Sequence, residues 1–196
     1  MRHLVVLPTL CALVAFAAGC ASTPASRFYT LSAAPTPAAA SSELSVVVGP
    51  VSVPAVVDRP QIVVRVGPNQ VRPDEFNRWA SPLQGNIARV VAENLVAMLG
   101  TPRVTLSSQA VNAEAEYRAA IEVQRFESAA GEAATLDAVW TVSRTKDDKS
   151  KTGRTTVREA VSETGYDALA AAHSRAIARL SRDIADAVRA LDRSGP

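Results

Sequence analysis

The chain is poor in nearly everything from which active sites are built. It has two cysteines and two histidines in 196 residues. That supply is too small for a disulfide framework and a poor one for a zinc site. Aromatic residues make up only 5% of the chain. The 47% hydrophobic fraction leans on 36 alanines, so much of it is small side chains. Charge of one sign is also missing: 21 basic residues face 19 acidic ones. The 18 arginines are scattered without a run, whereas a nucleic-acid binder concentrates its basic residues in a stripe. There is no Gly-x-Ser-x-Gly elbow, no Walker loop and no dinucleotide glycine fingerprint. No apolar run reaches the ~20 residues that span a bilayer as a helix. These absences argue against redox, thiol, zinc and nucleotide chemistry.

What is present begins at the N-terminus. Met1-Arg2-His3 is a short basic segment, Leu4 to Phe16 is uncharged and apolar, and Ala17-Ala18-Gly19 are small. This order is that of a secretory signal. Ala17-Ala18-Gly19-Cys20 resembles the bacterial lipobox, although Ala17 stands where leucine is usual. Residues 1–19 are thus expected to be a lipoprotein signal peptide and Cys20 the lipidated residue, with 20–26 a tether. Cys11 would be discarded, leaving 177 residues with 20 basic and 19 acidic side chains and no free thiol. Ala21 rather than aspartate after the cysteine implies, by the same resemblance, sorting to the outer membrane.

The remainder, 27–192, reads as one mixed α/β domain. Phe28 to Leu31 is strand-like, and Ser32 to Ser42, with Pro35 and Pro37, reads as a flexible loop. Leu44 to Val48 and Gln61 to Val66 have strand length. Gly67-Pro68-Asn69 is a turn, and Gln70 to Arg72 a short return. Prolines at 50, 54 and 60 place the 48–65 stretch at a sheet margin or in ordered loop. Ser81-Pro82-Leu83-Gln84 reads as an N-cap, a first-turn proline and a capping box. Leu83, Ile87, Val90, Val91, Leu95 and Met98 then form one helical face that ends at Gly100. Val104 to Leu106 is a short strand.

Tyr117, Ala119, Ile121 and Val123 alternate with polar neighbours, as do Leu136, Ala138, Trp140 and Val142 across a turn near Gly131. Lys146 to Gly153 reads as a charged tip and Thr155 to Val161 as a returning strand. A second helix starting near Thr164 and Tyr166 carries the stripe Leu169, Ala172, Ala176, Ile177, Leu180, Ile184, Val188 and Leu191. The expected architecture is a single α/β domain with a mixed sheet of six or seven strands and two main amphipathic helices.

Candidate catalytic groups are few. His173, the one histidine beyond the signal, has no partner at helical spacing and reads as a surface residue. Pro73-Asp74-Glu75 reads as a solvated turn, and Asp147-Asp148 as part of the charged tip. No catalytic residue, metal ligand or cofactor is expected. Trp79, beside a helix cap, reads either as a lid over the helix start or as a contact for a partner or lipid.

Four segments together carry a family resemblance: Phe28-Tyr29-Thr30-Leu31, Val48-Gly49-Pro50-Val51, Asp58-Arg59-Pro60-Gln61-Ile62-Val63 and Arg78-Trp79-Ala80-Ser81-Pro82-Leu83. Their order resembles the PqiC (YmbA)-type ABC-transport auxiliary lipoproteins, and Arg125-Phe126, Leu136 to Trp140 and the last alanine-rich helix also match. The resemblance implies a three-layer α/β fold similar to the TolB N-terminal domain. It implies a non-enzymatic lipoprotein at the inner leaflet of the outer membrane, facing the periplasm. Its partners would be an MCE-domain protein and an inner-membrane permease, in a system that moves lipid and supports membrane integrity. Asp58, Arg59, Pro60, Arg78, Trp79 and Pro82 are the residues expected to meet a partner. Self-association into a ring is a further expectation. The alternatives are a ring-forming structural lipoprotein of another envelope machine and a periplasmic hydrolase.

The lipidation reading has a direct test. Cys20→Ser should abolish labelling by a palmitate analogue and release the protein from the membrane fraction. Retention of both would refute it.

Overall fold

A computed structural model describes residues 24–37, 39–108, 115–161 and 163–194. Residues 1–19, expected to be a signal peptide, and Cys20, expected to be lipidated, lie outside the described residues. Among those described, eight strands form one curled mixed sheet: β1 (Arg27–Tyr29), β2 (Val46–Ser52), β3 (Gln61–Gly67), β4 (Gln70–Trp79), β5 (Val104–Leu106), β6 (Tyr117–Ala129), β7 (Ala133–Arg144) and β8 (Ser150–Ala160). Two helices, α1 (Leu83–Leu99) and α2 (Tyr166–Arg193), pack against it and against each other. The expected single α/β domain with a mixed sheet and two amphipathic helices is the fold observed.

The period-two alternation of β6 and β7 becomes an antiparallel hairpin. Ala119 pairs with Val142, Ile121 with Trp140 and Phe126 with Leu136, all buried. β8 continues the meander with Trp140 opposite Gly153 and Leu136 opposite Val157. The other edge of β6 is divided. β2 runs parallel to its first half, from Val46↔Tyr117 to Ser52↔Glu122, and β3 joins its far end at Val64↔Ser128. β5 extends the sheet beyond β2, while β4 and then β1 extend it beyond β3.

Both helices bury the stripes their spacing predicts. Leu83, Ile87, Val90, Val91, Leu95 and Met98 of α1 are buried, as are all eight apolar stripe positions of α2. Fully burying a leucine or isoleucine contributes roughly 1.5–3 kcal/mol, so these stripes supply much of the core's stabilisation. Gly100 ends α1 in the left-handed conformation (φ 66°), and its N–H bonds Val96 O at 3.1 Å.

Several expectations need correction. The helix cap is Pro82, whose extended backbone (ψ 131°) leaves it half outside α1, and no side chain caps the helix. Gln84, read as a capping-box residue, instead donates to Asp58 Oδ2 at 3.1 Å. Residues 32–37 and 39–42 form a strap across the helix seam rather than a free loop. Ser32 N bonds Ser174 Oγ, Ala34 N bonds Asn94 Oδ1, Ala39 N bonds Ala97 O and Ser42 N bonds Gly100 O, at 2.9 to 3.2 Å. Asn94 also donates to Ser181 Oγ of α2 at 3.1 Å, so one side chain links strap and both helices.

Of the proline-rich stretch, residues 53–60 with Pro54 and Pro60 are ordered loop as expected, but the strands that flank them do not lie at a margin. β2 sits between β6 and β5, and β3 between β6 and β4. Pro50 is tolerated because it lies beyond the last β5 pairing at Val48 and within the register shift against β6, where no ladder donor is needed. The return from the 67–70 turn runs on to Trp79, well past Arg72. At the β7–β8 connection the strands continue to Arg144 and resume at Ser150, so the tip is shorter than Lys146 to Gly153. Asp147 there is not merely solvated. The buried Arg144 guanidinium grips it at 2.9 and 2.5 Å and holds its carboxyl well below the usual range.

Two glycines are fixed by space. A Cβ at Gly100 would stand 2.1 Å from Ala40 O, and one at Gly153 would stand 2.2 Å from the Trp140 ring. Gly100→Ala and Gly153→Ala should each lower stability in urea unfolding by about 2 kcal/mol or more. Gly85→Ala, where a Cβ meets nothing within 4 Å, should raise it by roughly 0.4–1 kcal/mol.

Candidate docking site

The turn before β3 and the junction between β4 and α1 come together at one place. Val57 N and Asp58 N both bond Pro54 O, closing the turn with Val57 buried. Trp79 N then bonds Pro60 O at 2.7 Å, and Ala80 N bonds Tyr29 O at 2.8 Å. The Gln84–Asp58 bond clasps the turn to the start of α1. These contacts frame an open cleft of about 380 Å³ lined by Asp58, Arg59, Pro60 and residues 79–83. Five of the six residues expected to meet a partner line it. Arg78 does not, because the strand alternation sends it to the opposite face from Trp79; its Nε bonds Glu75 O at 2.9 Å.

Trp79 is neither a simple lid nor a freely exposed contact. It is buried at 5% exposure while still lining the cleft. Behind it, its ring meets Phe126 edge-on at 6.1 Å and His173 at 6.2 Å, and His173 stacks on Phe126 at 3.9 Å with planes 10° apart. Such pairs add about 0.5–1.5 kcal/mol beyond area burial. The cleft floor is therefore rigid, held from β4, β6 and α2 at once.

His173 is the principal residue that sequence reasoning misplaced. It is fully buried, not on the surface. The signal was available: 173 lies four residues after Leu169 and four before Ile177, inside the apolar stripe. Its Nε2 lies 2.9 Å from the buried Ser128 Oγ, and its Nδ1 has no hydrogen-bond partner. This is the nearest approach to a nucleophile–base pair, but both groups are sealed in the core, beyond the reach of a substrate, and no carboxylate orients the imidazole.

Asp74 is likewise not a free turn residue. It makes an Asx bulge inside β4, accepting from Phe76 N, Asn77 N and Asn77 Nδ2 at 2.9 Å each, while Tyr166 OH donates to its other oxygen at 2.5 Å. Partial burial alone would raise its pKa; the hydrogen bonds outweigh that and hold it at about 2. The ring of Tyr29 packs near Tyr166, with centroids 5.9 Å apart, which ties β1 to the start of α2. Among the described residues no group of three or more His, Cys, Asp or Glu could hold a metal ion.

Fold and site define a class before any activity: an α/β domain presenting an open cleft over a buried tryptophan. The family model for the ABC-type transport auxiliary lipoprotein component matches residues 29–185, and the chain belongs to that family. Two solved structures share the fold. One, described as an uncharacterized protein, has TM-score 0.70 and 19% identity over 84% of this chain and 99% of its own. The other, a DUF330 protein from Xanthomonas campestris, has TM-score 0.68 and 22% identity over 86% of this chain and 99% of its own. None of the curated proteins matches at a significant level.

Burial holds His173 neutral, with a pKa of about 3 against 6.5 in an open chain. Between those values the unfolded state binds the extra proton. The contribution is therefore intact above pH 6.5 and erodes as pH falls toward 3, at up to ~1.4 kcal/mol per pH unit. Urea unfolding should show a loss of about 2 kcal/mol between pH 7 and pH 5, well above where most carboxylates titrate. His173→Gln should flatten that dependence; an unchanged slope would place the titration on another group.

Proposed function

We propose that this protein is a non-enzymatic docking subunit of an MCE-type lipid-transport system. Cys20 holds it at the inner leaflet of the outer membrane, and the cleft receives an MCE-domain partner that is linked to an inner-membrane permease. The observation that carries this reading is the cleft itself, which gathers the family-like segments 58–60 and 79–83 around a buried tryptophan. Binding hot spots favour this arrangement, an aromatic floor with a charged rim. Arg59 supplies that rim: it is exposed, its N–H bonds Val57 O at 2.9 Å, and its guanidinium makes no hydrogen bond or ion pair among the described residues. Asp58 beside it is already engaged by Gln84.

Arg59→Glu leaves the fold's contacts intact, and reversing a charge at a contact commonly weakens binding by tenfold or more. The expected outcome is at least a tenfold loss in co-purification of the MCE-domain protein with the same amount of subunit in the membrane fraction. Deleting the subunit should sensitise cells to detergent. Undiminished capture of the partner by the variant would rule the cleft out as the docking site.

A further inference from the structure

We propose that the outer face of β1 and the adjoining end of β4 forms a contact patch for the membrane that carries the acyl chains. Phe28 is the most exposed large apolar side chain among the described residues, at 64%. Register places it directly beside Arg78, on the opposite face from Tyr29 and the buried Trp79, and Gln61 of β3 is Arg78's neighbour on the other side. Arg27 precedes it in β1 and is also exposed.

The charge around Phe28 favours phosphate. The nearest acids in sequence are partly committed elsewhere: Asp74 turns inward to Tyr166 and Asp58 is held by Gln84, while Glu75 is exposed. A chain of formal charge +2 thus sets the half-buried Arg78 on the same face as its most exposed ring, with the exposed Arg27 one residue away on the edge strand, its side chain starting from the Tyr29 face. Guanidinium groups bind phosphate bidentately, and an aromatic ring next to them enters the boundary between headgroup and acyl chain.

Chain length supplies the occupant. This proposal rests on the lipidation of Cys20. Eight positions separate Cys20 from Phe28, and at ~3.3–3.6 Å per residue β1 lies within about 28 Å of the anchor. A tether that short gives the patch an effective concentration of order millimolar at the bilayer, so even a weak patch is occupied. The opposite edge strand, β8, is separated from β1 by the whole width of the sheet.

The test uses the full lipidated chain. The expected mature protein has no thiol besides the blocked Cys20, so Phe28→Cys offers one site for an environment-sensitive fluorophore, and Thr152→Cys on β8 offers a control. In vesicles of phosphatidylethanolamine and phosphatidylglycerol carrying spin-labelled acyl chains, the label at 28 should be blue-shifted and quenched at least threefold more than that at 152. Adding Arg27→Glu and Arg78→Glu should reduce quenching at 28 by at least half with the protein still anchored, which a mere tether would not do. Equal quenching at both positions, or insensitivity to the arginine changes, would overturn the patch. So would disulfide cross-linking between copies through position 28 without quenching, since a second copy would then cover Phe28. If Cys20 were unlipidated, it would take up the label itself and the protein would not enter the vesicles, and that result would remove the tether and the proposal together.

Discussion

Strand β6 has one edge to share between two parallel neighbours, and the rest of the fold follows from how they share it. β2 takes Tyr117 to Glu122 and β3 takes Ser128, leaving the stretch between them without a partner on that side. β6 also shifts register against β7 between Val123 and Arg125, at the same level. A shift of this kind bends and twists a strand. The sheet therefore curls, carrying β3, β4 and β1 away from the plane of β6–β8. A curled sheet leaves a hollow beneath the branch, and bulky side chains must fill it. Phe126 from β6, Trp79 from β4 and His173 from α2 do so, stacked and edge-on. Trp79 and Phe126 thus supply, with the imidazole of His173, the large flat groups that the geometry needs there.

This branch also makes the site. Trp79 reaches the core at the end of β4, after the bulge that Asp74 organises, where pairing with β3 resumes at Gln61↔Arg78 just before α1 begins. Tyr166 OH on Asp74 and the packing of Tyr166 near Tyr29 tie that excursion to α2 and β1. The cleft lies where β4 passes into α1, opposite the Asp58 turn. It is firm because its floor belongs to the core, and open because its rim is loop. A rigid scaffold presenting exposed loop groups is a usual basis of recognition sites.

Legibility in the sequence followed periodicity. Alternation made β6 and β7 readable, the three-and-four spacing made both helices readable, and Gly100 marked the end of α1. Proline misled where its context was tertiary. Pro50 argues for a margin until one sees that β5 stops at Val48, information that no local pattern contains. Asp74 reads as solvated because its main partner, Tyr166, lies 92 positions away. His173 reads as a surface residue by type, although its position in the α2 stripe argues otherwise; the ring is tolerated there because it stacks on Phe126 and lies within reach of Ser128. The segments 58–60 and 79–83 are legible as a pair through family resemblance, but the clasp that joins them, Gln84 on Asp58, reads locally as helix capping. A single amide cannot be allotted between local and distant acceptors from sequence alone.

The alternation of one short strand end has a functional consequence. Asn77 and Trp79 point to one face of β4 and Arg78 to the other, and β1 copies this with Tyr29 inward and Phe28 outward. The proposed docking cleft and the proposed membrane patch thus share a few residues of backbone without sharing side chains. A lipid-facing role for Phe28 and Arg78 would press one face of that pair toward the bilayer. The Trp79 side would remain turned inward to the cleft rim with Arg59. A docking subunit benefits from that division, since its anchor can set its orientation without occluding the partner's site. A single covalent anchor limits distance but not direction; orientation requires a second contact from the folded domain, and β1 is the strand closest to Cys20 along the chain.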